Sequence, residues 1–248
     1  MPNANPKAET ATFRVLVSDP IDESGFSALK GVAHVDLKTD LTPAQLLEVI
    51  GEYDALMVRS QTKVTAEVIE AGKKLRIIGR AGVGVDNIDV PAATRRGVVV
   101  VNSPSGNTIA AAEHTLALMF ALARHVPQAD ASTKRGEWKR SKYVGHELFG
   151  KSLGVLGLGK IGSHVASVAQ AMGMTVLGYD PYVTPERARE MGVELMEVED
   201  VVRRADVITV HVPKTPETTH LLNAEMLAKA KPGVVLINCA RGGIIHEG

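Results

Sequence analysis

From residue 13 onward, short apolar runs alternate with stretches whose apolar residues recur at helical spacing, the rhythm of repeated βαβ units. The runs at 13–17, 34–37, 55–58, 75–78 and 98–101 are predicted strands, and 23–29, 43–50, 66–71 and 90–94 are predicted helices. The helix at 43 has the best start signal, with Thr42 as N-cap and Pro43 in the first helical position. A second series follows, with predicted strands at 153–156, 174–179, 193–196, 207–210 and 234–237. Between the two series lies the longest apolar stretch, 108–126. It contains Glu113, His114 and Arg124, so it reads as a core or subunit-interface helix rather than a bilayer span.

The pattern predicts an α/β chain of two doubly wound parallel-sheet domains, with a cleft between them for a cofactor and a small substrate. The expected boundaries are a disordered tail at 1–12, a substrate-binding domain at 13–104 and a nucleotide-binding domain at 105–248. Composition narrows the partners. Lys plus Arg and Asp plus Glu number 28 each among 248 residues, so no overall field recruits nucleic acid or an anionic membrane. A single cysteine, Cys239, forms no intramolecular disulfide and suits a reducing cytoplasm. The first dozen residues lack the apolar core of a secretory leader.

The segment LGVLGLGKIG places Gly157, Gly159 and Gly162 between a predicted strand and a predicted helix opening near Lys160. In a dinucleotide fingerprint the first glycine makes the turn, the second admits the pyrophosphate and the third lets the helix pack on the strand. Asp180 closes the next strand, where a carboxylate would accept from ribose hydroxyls and repel a 2′-phosphate, so NAD is the expected cofactor. A turn cap before Pro181 is the plainer role for the same residue.

Arg59 and Arg80 each fall at the carboxyl end of a predicted parallel strand, where open α/β sheets bind ligands. After Arg80, Gly82 and Gly84 would bare the amides of a loop, and arginines with bare amides suit a small, multiply anionic substrate. Lys139, Arg140 and Lys142 beside Trp138 read either as a solvated loop or as part of an anionic pocket reaching across a dimer interface. Arg241, in NCARGG after the last predicted strand, is placed to polarise the carbonyl of a 2-keto acid as hydride moves. Cys239 reads as a small buried residue rather than a nucleophile. No histidine among His114, His164, His211, His220 and His246 has a recognisable partner that would make it a base, and no cluster has metal-ligand spacing. His211, in the HVP turn, is expected to line the cofactor side of the sheet.

VRSQTKVT, GRAGVGVDNID, VNSPSGNT, GLGKIG with YDP, and INCARGG together resemble the D-isomer-specific 2-hydroxyacid dehydrogenases, in particular their phosphoglycerate-oxidising branch, from about residue 13 to 248. The resemblance implies a flavodoxin-like substrate domain, a Rossmann nucleotide domain, and oxidation of 3-phospho-D-glycerate to 3-phosphohydroxypyruvate, the entry to serine synthesis. It implies substrate contacts at Arg59, Arg80, Val83, Gly84 and Asn107, with Arg80 favouring a phosphate. NAD would be held by Gly157, Gly159, Lys160, Ile161, Gly162, Asp180, His211, Val212, Cys239, Ala240 and Arg241, the last being the catalytic arginine; no metal is implied. A homodimer is expected in the family's manner. The family's acid/base glutamate and histidine lie downstream of the arginine, and this chain ends seven residues after Arg241, so weak or absent turnover is expected of it. His246, standing where an aspartate is usual, does not match the family's catalytic histidine. Two other readings stay open: action on another 2-hydroxy acid such as glyoxylate or hydroxypyruvate, and a non-catalytic NAD-binding interaction module.

Overall fold

The computed structural model describes residues 13–29 and 31–248, so the tail expected at 1–12 lies outside the described residues. The chain divides into two compact units between Gly106 and Asn107. In the first, β1 (Phe13–Val17), β2 (Ala33–Leu37), β3 (Ala55–Val58), β4 (Ile77–Arg80) and β5 (Val99–Asn102) form one parallel sheet in the order β2-β1-β3-β4-β5. That order is the flavodoxin-like one. The helices α1 (Pro43–Val49), α2 (Ala66–Ala71) and α3 (Val90–Arg96) share a core with Leu16, Leu56, Val58 and Ile78 of the strands. Thr42 caps α1 in a full capping box with Gln45, as its sequence predicts. On the opposite sheet face Phe13, Ile77, Val99 and Val101 remain exposed.

The second unit opens with α4 (Thr108–Ala123) and α5 (Val126–Lys134). There follow β6 (Ser152–Leu156), α6 (Lys160–Ala171), β7 (Thr175–Tyr179), α7 (Pro185–Glu190) and β8 (Glu194–Leu195). The unit ends with α8 (Val198–Arg204), β9 (Val207–Val210), α9 (Ala224–Leu227) and β10 (Val235–Asn238). Its parallel sheet runs β10-β9-β6-β7-β8, the Rossmann order for five strands. Both faces are covered: Leu153 and Val155 pack toward α4 and α6, whereas Leu156 and Ile208 pack toward α8. Burial on both sides is why β6 reads as an unbroken apolar run instead of an alternating one.

Several elements depart from the expected bounds. The helix expected at 23–29 is two short 3-10 turns, at Glu23–Gly25 and Ser27–Leu29, in a stretch broken by Ser24, Gly25 and Ser27. The apolar stretch 108–126 does not form one helix. His125 takes φ 51°, and α5 starts afresh because Pro127 would clash with the carbonyl of Ala123, which instead accepts the His146 N–H at 2.9 Å. No described helix is long and apolar enough to cross a membrane. Strands expected from Val98, Met174 and Val193 each begin one residue later. In all three, a left-handed glycine ends a helix, and the buried apolar residue after it bonds back to that helix, as Val98 N–H does to Ala93 O at 2.9 Å. Those residues complete Schellman caps and are spent before the strand begins. The fourth strand is shifted by two, so that Arg80 is the last residue of β4, paired with Val58 and Asn102, rather than the start of a loop.

Candidate active site

In the first unit, the ends of β3 and β4 put Arg59 and Arg80 on the same carboxyl edge. The Arg80 guanidinium folds back over its own loop: a Cβ on Gly82 would lie 1.4 Å from Nη1, so only glycine leaves room for this arrangement. The loop beyond is held through its carbonyls. Gly82 O accepts the Ser103 N–H at 3.0 Å, and Val83 O accepts the Asn102 amide at 2.5 Å. The N–H groups of Val83 and Gly84 make no hydrogen bond among the described residues, which leaves two amides for an anion. Arg59 is exposed and donates from Nη1 to Pro20 O at 3.3 Å.

Sequence reasoning overlooked what holds Arg59 in place. Asp19, 1% exposed just beyond β1, accepts the N–H of Arg59 at 2.6 Å, of Gln61 at 3.2 Å and of Thr62 at 3.0 Å, and also the Thr62 hydroxyl. From the other side Asn87 Nδ2 donates to Arg59 O at 2.9 Å and Thr62 O at 2.8 Å. The available signals were an Asp-Pro turn after a strand and an Asn in a polar loop, neither of which names its partner.

In the second unit the glycine turn links β6 to α6. Gly157 N–H donates to Tyr179 O at 2.8 Å, and His211 N–H to Leu156 O at 2.7 Å, so β7 and β9 pin the turn from both sides. A Cβ on Gly157 would strike the His211 main chain at 2.8 Å, and one on Gly162 would lie 1.9 Å from Gly157 O. At Gly159 nothing lies within 4 Å of such a carbon, and no side chain caps the first turn of α6. Bare amides at a helix start beside an open glycine backbone fit a pyrophosphate.

Asp180 is a turn cap and also a brace for the glycine turn. Its Oδ1 accepts the Tyr182 N–H at 2.9 Å, the turn cap, and its Oδ2 accepts the Leu158 N–H at 2.8 Å, binding the end of β7 to the glycine turn. A carboxylate keeps further lone pairs for a ribose. It borders a cavity of about 330 Å³ lined also by Tyr179, Pro181, Leu195, Met196 and Glu197, large enough for one end of a dinucleotide. Arg187 is engaged with Glu190 at 2.8 Å.

After β10, Asn238 braces the next loop, donating to Arg241 O at 2.8 Å and accepting the Ala240 N–H at 3.0 Å. Arg241 Nη1 donates to Ala240 O at 2.8 Å. Cys239 is half-buried rather than fully buried. Val212, behind the glycine turn, is buried. His211 does have a partner, contrary to expectation: Nε2 lies 2.9 Å from the Thr209 hydroxyl. Burial pushes its pKa down to about 4, so the imidazole is neutral at pH 7. His220 and His246 meet edge to face, with ring centroids 4.4 Å apart. Asn107 is the exposed N-cap of α4, and its side chain makes no capping bond. In the basic segment, Lys139 is paired with Glu137 at 3.1 Å while Trp138 is 79% exposed.

A Rossmann sheet with this glycine turn defines a dinucleotide-binding protein. Residues 116–248 match the model for the D-isomer specific 2-hydroxyacid dehydrogenase, NAD binding domain, and the chain belongs to that family. NAD is the cofactor of that domain, and the glycine turn and Asp180 fit it. A D-3-phosphoglycerate dehydrogenase of Synechocystis sp. is 61% identical over 234 residues, which is 94% of this chain and 42% of that protein. One of Methanocaldococcus jannaschii is 52% identical over 235 residues, 94% of this chain and 45% of that one. The chain therefore spans less than half the length of these relatives. Among solved structures, a D-lactate dehydrogenase from Aquifex aeolicus, complexed with NAD and lactic acid, superposes with TM-score 0.83 at 29% identity, covering 94% of this chain and 70% of that one.

Proposed function

We propose that this chain is the substrate- and NAD-binding part of an enzyme that oxidises 3-phospho-D-glycerate to 3-phosphohydroxypyruvate, the first step toward serine. The observation that carries the reading is the pairing of Arg59 and Arg80 with the unbonded Val83 and Gly84 amides on one sheet edge, a set of donors suited to an acid with more than one anionic group. The names of the relatives at 52–61% identity support phosphoglycerate over other 2-hydroxy acids. NAD, when bound, supplies the hydride acceptor for C2. In the first unit, Arg59 and the loop amides are assigned to the acid's carboxylate and Arg80 to its phosphate; in the second unit, Asn107 is assigned to substrate contact and Arg241 to stabilising negative charge on the C2 oxygen as the carbonyl forms. His211 lines the NAD side as a neutral group and is not the base, since its Nε2 is engaged by Thr209 and its proton affinity is low.

The protein is further proposed to be a cytoplasmic homodimer. Exposed Ile109, Leu118, Phe120 and Leu122 on α4 supply an apolar surface for a second copy, and one unpaired cysteine suits a reducing compartment. The functional test is calorimetric titration with NADH, then 3-phosphoglycerate, then D-glycerate, on wild type and Arg80→Gln. Loss of phosphoglycerate binding with D-glycerate binding retained supports the reading. A protein that binds NADH and ignores both acids is a nucleotide-binding module instead, and equal losses for both acids remove Arg80 from phosphate recognition.

A further inference from the structure

Asp19 is an odd residue to keep beside a site built for an anion. Its carboxylate is 1% exposed, and among the described residues no cation pairs with it. A buried negative charge is costly and would repel the very ligand that Arg59 attracts. The compensation is entirely local: three main-chain N–H groups and one hydroxyl, all from the Arg59–Thr62 turn, converge on its two oxygens. Only a carboxylate accepts so many bonds, since an amide in its place offers a single accepting oxygen. The carbonyls of the same turn, at Arg59 and Thr62, face the opposite way and are gathered by the Asn87 amide. Asn87 is itself fixed, because its own carbonyl accepts the Val64 N–H at 2.8 Å. It also follows closely on the loop carrying Val83 and Gly84, so one clamp joins the segments after β1, β3 and β4.

We infer that Asp19 and Asn87 are positioning residues, which clamp the Arg59–Thr62 turn from its donor and acceptor sides and so set where Arg59 meets the acid. The inference rests on the assignment of Arg59 to substrate binding made under Proposed function. A turn tied at five backbone groups presents its arginine with no further backbone ordering when the ligand arrives, leaving only the side chain to be fixed.

The test is Asp19→Asn, which preserves volume but turns an NH2 group toward the turn's own N–H groups. It is made alone and in an Arg59→Gln background, with affinities for NADH and for 3-phosphoglycerate measured by calorimetry and amide exchange followed across 59–64. We expect faster exchange in the turn, acid affinity lowered about 10- to 100-fold as the charge-assisted bonds from Arg59 are weakened, and NADH affinity unchanged. In the Arg59→Gln background, Asp19→Asn should add almost nothing, because the residue acts through Arg59. The same multiplicative loss in both backgrounds, or unchanged acid affinity in the single variant, overturns the proposal. Should Asp19→Asn fail to fold, Thr62→Val and Asn87→Ala loosen the clamp from either side and are judged by the same cycle. If wild type ignores 3-phosphoglycerate but binds an unphosphorylated 2-hydroxy acid, the substrate reading fails while the cycle, run with that acid, still decides the clamp. If it binds neither, both are overturned.

Discussion

Alanine substitutions at Gly162 and Gly159, three residues apart in the same glycine turn, should fail in different ways. On Gly162 a Cβ would sit 1.9 Å from Gly157 O, 3.1 Å from the Gly157 carbonyl carbon and 3.2 Å from a Val155 methyl. The first two are backbone atoms held by β7 and β9, so α6 must retreat by about 1.5 Å to restore an ordinary contact. Overpacking of this kind costs about 1–3 kcal/mol, which for a chain of this size lowers Tm by roughly 2–12 °C. The same retreat carries the first turn of α6 away from the pyrophosphate, so NADH affinity should fall by about 100-fold. On Gly159, by contrast, nothing lies within 4 Å of the added carbon, and its φ of −66° suits any residue. Gly159→Ala should hold or slightly raise Tm, by analogy with other unstrained Gly→Ala changes worth about 0.4–1 kcal/mol. It should still lose NADH, because the methyl occupies the space that the open backbone leaves for phosphate oxygens. Differential scanning calorimetry without ligand, and fluorescence titration with NADH, separate the two. A Gly162→Ala protein with wild-type Tm, or a Gly159→Ala protein with wild-type NADH affinity, would refute the division of labour between packing and ligand approach.

Other consequences follow from single groups. Asp180→Ala should lower NADH affinity and raise NADPH affinity relative to it, read as the ratio of the two dissociation constants; an unchanged ratio would leave Asp180 as a turn brace only. The Glu137 carboxyl, held down at about 2 by hydrogen bonds from Ser132, Lys139 and Arg135, steadies its segment at neutral pH. Because its folded pKa lies below the ordinary one, that contribution is full above about pH 4.5 and is lost as pH falls toward 2. Trp138 fluorescence should report the loosening, and Glu137→Gln should show it already at pH 7. His211 also resists protonation in the folded state, so stability should decline as pH falls from about 6.5 to about 4 and then level off for this group. Urea midpoints measured across that range should be flatter in His211→Gln. Phe120→Glu on α4 should give a monomer by sedimentation with NADH binding intact, and a dimer that survives it rules out that face of α4.

The strands of the second unit were legible because burial on two faces leaves continuous apolar runs, and the β6 run with its glycines and Asp180 carried cofactor class and domain type together. Where the reading slipped, the cause was a competing use of the same residue. Val98, Met174 and Val193 are apolar and β-flanking, yet each closes the helix before it through a left-handed glycine. Similarly, 108–126 is largely apolar, but its hydrophobic pattern does not show that Pro127 sets its end by removing a donor and crowding Ala123.

The site divides along the same line. Arg59, Arg80 and Arg241 stand out as candidates because a charged residue at or shortly after the end of a parallel strand has few structural reasons to be there. Asp19, Asn87 and Asn238 could not, since each is a small polar residue in a loop or at the last position of a strand, and its meaning lies in backbone groups up to 43 positions away. Hydrogen bonds to main chain leave no trace in the identity of the partner, as any residue supplies an N–H or a C=O. The side chains proposed to touch ligand are therefore readable from type and position, whereas those that aim them become visible only when the backbone is in place. Arg59 shows why the second class matters: an exposed arginine with one 3.3 Å bond of its own is aimed only as well as the turn that Asp19 and Asn87 hold.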